Sequence, residues 1–162
     1  MKTRPVGIFK IKADDLQWIT GAKDDPQDLC LHGRVTVQFG NTILEDYGTV
    51  SATALYLLKT LRDNKIMAPY DIQMIPCCGH TLIANENLTE VTISGCDKGT
   101  DWSTIHKENT VRFLLPSGQE EVVSLRDYQY EVLDFAKKTK YFYKEVCICP
   151  PVLFLINCYP ST

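Results

Sequence analysis

At 162 residues, 44% of them hydrophobic and 23% charged, the chain has the composition of one globular domain large enough to bury a core without staples. Wholesale disorder and collagen-like structure are excluded by that composition. Seventeen basic against twenty acidic residues give a net charge of −3, which supplies no electrostatic footprint for nucleic acid.

The opening segment, MKTRPVGIFKIKADDLQW, has no apolar run of signal-peptide length, because Lys10 and Lys12 interrupt it at once. Residues 8–11 and 16–19 flank the acidic pair Asp14-Asp15, a pattern that predicts one short strand and a turn. Gly, Pro and charge together mark 21–28 as a loop. Val35, Val37 and Phe39 then alternate with Thr36 and Gln38, the period of two of a half-buried strand. Gly40-Asn41 suits a two-residue hairpin turn, with the return strand running through Ile43.

Val50, Ala54, Leu57, Leu58 and Leu61 recur at helical spacing, with Thr49 or Ser51 placed to supply a capping oxygen. Arg62 to Lys65 close this helix with polar residues. A β-rich middle follows, with expected strands at 72–78, 81–85, 90–96, 102–106, 110–115 and 120–123. Its turns fall at Gly79, Glu86-Asn87, Gly95 to Gly99, Lys107 to Asn109 and Pro116 to Gly118. Ser124 with Asp127 three residues on announces a second helix over 125–145. Tyr128, Val132, Phe135, Ala136, Thr139 and Phe142 form its buried stripe, while Lys137, Lys138, Lys140 and Lys144 read as a solvated face.

The expectation is therefore an α+β domain over 1–146. It has a mainly antiparallel sheet of about six to eight short strands, because its turns are too short for parallel crossovers, and both helices pack on one face. Residues 147–162 form an apolar tail beyond Pro150-Pro151, either an edge strand or an arm making a homodimer through 152–156. No stretch approaches the roughly 20 apolar residues of a membrane span, so a cytoplasmic protein with no membrane partner is expected.

Seven cysteines, at 30, 77, 78, 96, 147, 149 and 158, are an odd number at irregular spacing, which does not read as a disulfide framework. Most are expected to be reduced thiols, and those inside apolar strands small buried hydrophobes. Cys30, His32, Cys78 and His80, with Cys77, Cys96 and His106 nearby in sequence, are the candidate metal ligands. Zinc wants four such groups in a tetrahedron, but no C-x₂-C knuckle and no H-E-x-x-H places them around one ion. No metal and no cofactor are expected. Cys77 or Cys78 beside His80 could make an activated thiolate, since a neighbouring imidazole lowers a thiol pKa. The same stretch, MIPCCGHTLIAN, equally reads as two strands meeting at Gly79 with sulfur in the core.

No phosphate-cradling glycine loop and no G-x-S-x-G elbow occurs. Asp101-Trp102, next to the polar loop 95–99, would make a recognition edge if exposed, and otherwise a strand start that caps the core. The function expected of this slightly acidic, motif-poor domain is binding to a protein partner, as an immunity- or adaptor-type bacterial protein does. The alternative is a small cofactor-free or zinc-dependent enzyme working through Cys78 and His80.

Overall fold

The computed structural model describes residues 7–18, 30–77, 80–95 and 98–146. Its elements run β1 (Phe9–Trp18), β2 (Leu31–Phe39), β3 (Thr42–Thr49), α1 (Val50–Lys59), β4 (Ile75–Pro76), β5 (His80–Ala84), β6 (Val91–Gly95), β7 (Gly99–Thr100), β8 (Ser103–Lys107), β9 (Thr110–Leu114), β10 (Glu120–Ser124) and α2 (Leu125–Val146). The fold is α+β with every pairing antiparallel.

In place of one continuous sheet the strands form two three-stranded sheets, β1-β2-β3 and β10-β9-β8, and two small pairs, β4-β7 and β5-β6. Backbone bonds tie some of them together. Gly7 N–H donates to Val122 O at 2.7 Å, linking the start of β1 to β10. Lys65 and Thr104 exchange both backbone bonds, at 2.9 and 2.8 Å, along the outer edge of β8.

The first hairpin forms as its pattern requires: Val35, Val37 and Phe39 are wholly buried, and Gly40 turns the chain with φ +58°. The opening segment differs from expectation. Asp14-Asp15 does not end a strand; it sits at a shift of register inside one ten-residue strand, with Asp15 at φ +53°. A bulge of this kind lets both flanking stretches keep their pairing with β2. The loop expected over 21–28 lies outside the described residues.

Thr49 occupies the N-cap position of α1, yet its side chain makes no capping bond. Ser51 Oγ instead accepts from Leu31 N–H at 3.3 Å, so the hydroxyl is used to tie α1 to β2. On α2, Ser124 Oγ does accept from Asp127 N–H at 3.0 Å. That bond satisfies one of the amides a helix start leaves unpaired.

Of the strand expected over 72–78, the described part pairs with β7 at Ile75–Pro76, with Cys77 N–H donating to Lys98 O just beyond it. Two glycines make its docking possible. A side chain on Gly48 would meet Pro76 O at 2.4 Å, and one on Gly99, which also has φ +128°, would meet Ile75 O at 2.0 Å. Only backbone without Cβ fits such approaches.

The core lies between the two three-stranded sheets and the helices. Phe9 stacks on Phe113 at 5.2 Å between centroids and meets Phe39 and the edge of Tyr128 at 5.6 and 5.0 Å. Phe39 and Trp102 form a T-shaped pair at 5.3 Å. Strands β1, β2 and β9 and helix α2 thus converge on one aromatic cluster, and such pairs add roughly 0.5–1.5 kcal/mol each beyond the area they bury. Trp18 against Phe142, at 5.8 Å, fastens the later turns of α2 to the end of β1. Among the described residues no helix is long and apolar enough to cross a membrane.

Candidate functional site at the β5-β6 hairpin

The structure describes only some of the residues singled out in the sequence. Trp102 is wholly buried and Asp101 is 4% exposed, so this pair caps the core and forms no recognition edge. Asp101 is a strut. Its Oδ1 accepts from Met74 N–H at 3.0 Å and its Oδ2 from Lys65 Nζ at 2.8 Å. With Met67 N–H on Ser103 Oγ at 2.9 Å, these bonds pin the long connection between α1 and β4 against β8.

Cys30 and His32 are both buried at the start of β2, and Cys77 is half-buried, its N–H donating to Lys98 O at 3.0 Å. Cys78, the side chain of His80 and Cys96 lie outside the described residues. Among the described residues no group of three or more His, Cys, Asp or Glu side chains is placed to hold a metal ion. His106, also singled out, lies on β8. Its Nε2 is 2.6 Å from Thr60 O, and because a carbonyl only accepts, that ring nitrogen carries the proton.

A shallow cleft of about 260 Å³ opens between residues 7–10 and Asp127, Tyr130 and Glu131 on α2. Lys10 pairs across it with the buried carboxylate of Glu131. The hydrogen bond and charge of Glu131 raise the Lys10 ammonium above its ordinary value, so both groups are occupied with each other.

The hairpin of β5 and β6 falls on the strands expected at 81–85 and 90–96, and what sequence reasoning passed over is the exposed apolar tip it carries. These strands pair with each other and with no other described strand. Every residue from Ile83 to Glu90 is exposed. A two-stranded ribbon of this kind is marginal alone in water, so its shape depends on its turn. Asn85 supplies that order. Its Oδ1 accepts from Thr89 and Glu90 N–H at 2.8 and 3.2 Å, its Nδ2 donates to Thr89 Oγ1 at 2.9 Å, and its carbonyl accepts from Leu88 N–H at 3.0 Å.

The turn so fixed holds Leu88 outward, 67% exposed and at φ +56°. A left-handed conformation costs an L-residue with a bulky side chain roughly 1–2 kcal/mol, and Asn or Gly would occupy it more cheaply. Ile83, 53% exposed, adds a second apolar side chain on the ribbon. Glu86 and Glu90 flank the tip, with no ion-pair partner among the described residues. The sequence signal was present: one leucine in ANENLTE, a stretch otherwise made of turn and polar residues. Compared with known proteins, the chain matches no protein-family model, no curated protein and no solved structure.

Proposed function

We propose that the protein acts by binding a protein partner, with the β5-β6 hairpin as its recognition element. The observation that carries this reading is Leu88: an apolar side chain presented to solvent, in a conformation that leucine disfavours, on a turn ordered by four hydrogen bonds. Strain held by its surroundings and paired with exposure is characteristic of contact sites. A preordered turn also loses less conformational entropy on docking than a loose one.

The partner is a protein surface with an apolar socket for Leu88 and cationic side chains on its rim, facing Glu86 and Glu90. Carboxylates at the tip disfavour a phosphate backbone, in keeping with the mildly acidic chain. The rival reading, an enzyme using Cys78 and His80, rests on groups outside the described residues, and no described geometry favours it. The homodimer expected through 152–156 rests on residues outside them as well.

A photo-crosslinking amino acid placed at Leu88, with Ser117 in the turn between β9 and β10 as control, tests the proposal in living cells. One dominant protein adduct is expected from position 88 and not from 117. That adduct is expected to fade when Glu86 and Glu90 are both changed to lysine. Equal, scattered adducts from the two positions would remove the hairpin as the recognition element.

A further inference from the structure

Helix α2 buries one face and leaves an apolar stripe on the other. Tyr128, Val132, Phe135, Ala136 and Thr139 sit in the core, while Tyr130, Leu133 and Tyr141 are 68%, 38% and 62% exposed. At 100° per residue, positions 130, 133, 137 and 141 fall within one sector, facing away from the buried side. A surface helix with a single packing duty keeps its outer side polar. Ile8, 55% exposed just before β1, continues the apolar surface, and with Tyr130 it lines the shallow cleft described above.

The charges along α2 are divided by sign. Its first half holds Asp127, Glu131 and Asp134 with one cation, Arg126, and its second half holds Lys137, Lys138, Lys140 and Lys144 with one anion, Glu145. Such a helix is complementary to a copy of itself running in the opposite direction. In an antiparallel pair, residue numbers count down on one helix as they count up on the other. Setting Tyr130 level with Tyr141 of a second copy therefore sets Asp134, four residues on, level with Lys137 of that copy, four residues back. Each contact then occurs twice, because an interface about a two-fold axis is isologous. Asp134 already accepts from Lys138 in its own chain at 2.6 Å, and a carboxylate has room for a second cation.

We infer that two copies of the chain associate through the Tyr130–Leu133–Tyr141 faces of α2, antiparallel about a two-fold axis. Tyr141 of each copy covers Tyr130 of the other at the mouth of the cleft, and Asp134 of each meets Lys137 of the other. The stripe supplies the attraction, since pairing removes tyrosine and leucine surface from water. The charge division supplies the direction, since a parallel pair sets lysines against lysines. One helix face per copy makes a small interface, of the class below about 1,200 Å² whose complexes are weak and reversible. The inference does not rest on the hairpin reading, as every residue it uses lies on α2 or beside the start of β1.

The test is sedimentation equilibrium of the full chain, kept reduced so that no cysteine joins two copies, with the charge reversals Asp134→Lys and Lys137→Asp. The unmodified chain is expected to form dimers with micromolar affinity. Each substitution alone turns two symmetry-related attractions into repulsions and weakens the dimer at least about tenfold. In an equal mixture of the two variants both contacts again join opposite charges, and an affinity within about threefold of the unmodified chain is expected. Variants that had lost their fold could not recover in this way. Photo-crosslinking from p-benzoylphenylalanine in place of Tyr130, with an equal amount of ¹⁵N-labelled unmodified chain, is expected to join the two isotopes at the peptide containing Tyr141. A chain that stays monomeric, a dimer indifferent to both substitutions, a mixture no tighter than the separate variants, or crosslinks confined to one chain would each overturn the inference.

Discussion

The hydroxyl of Tyr128 meets Thr60 Oγ1 at 2.6 Å in the centre of the core, and Thr60 Oγ1 is also 2.7 Å from Leu57 O. The Leu57 carbonyl can only accept, so the single Thr60 proton goes to it and Tyr128 is the donor to Thr60. Tyr128→Phe therefore strands a buried oxygen lone pair and is expected to cost about 1–1.5 kcal/mol in urea unfolding, without altering the fold. Burial also pushes the Tyr128 phenol far above its ordinary value, and the Tyr56 phenol with it, there reinforced by Asp71. A phenol whose pKa is raised on folding keeps its proton longer in the folded state than in the unfolded one. Its stabilisation is complete below the unfolded value of about 10 and is lost as pH rises beyond it. Absorbance titration at 295 nm should show these two tyrosines ionising last, together with cooperative unfolding. Asp101 allows a third check at this scale. With the Lys65 ammonium only 15% exposed and Asp71 more distant at 3.8 Å, Asp101→Asn leaves a largely buried cation poorly compensated. Its expected cost is about 3 kcal/mol, read from the denaturant midpoint.

Among elements, the hairpin of β5 and β6 is where stability and function are expected to part. Leu88→Asn relieves the left-handed conformation at φ +56° and removes the apolar tip. A gain of about 1 kcal/mol in thermal or urea unfolding is expected, since Asn tolerates this region and Leu does not. A loss of stability would mean that Leu88 packs against the body. The elements most legible in the sequence were those set by a repeating pattern. Alternation at Val35, Val37 and Phe39 defined β2, and spacing from Tyr128 to Phe142 defined α2, because burial on one face imposes the period directly. What escaped were features set by groups distant in the chain. The place of β4 is fixed by the close approach of the glycines at 48 and 99. Ser51 suits a cap by position, but Leu31, twenty residues earlier, takes its oxygen. Asp101-Trp102 is open to two readings until the partners Lys65 and Met74 arrive from the α1-β4 connection. Leu88 was missed because a turn composition hides the backbone conformation, and the conformation carries the information.

At the scale of the molecule, the described residues divide into four small antiparallel sheets, with an aromatic core and the ribbon of β5 and β6 paired only with itself. The class and antiparallel pairing were readable because short connections forbid parallel crossovers, and the strand count, expected at about six to eight, was approximately right. The breaks between sheets were not, since they depend on which strand edges meet, as where Gly7 reaches Val122. The proposed recognition role rests on the exposed Leu88 and the hydrogen-bonded turn that carries it. The most direct test of that account is the affinity of the purified partner, identified by crosslinking at position 88, for the wild-type chain and for Leu88→Asn. The account predicts at least about a tenfold weakening, the loss of roughly 1.4 kcal/mol expected when a central apolar anchor is removed, while the variant stays fully folded. Equal affinities for the two chains would contradict it.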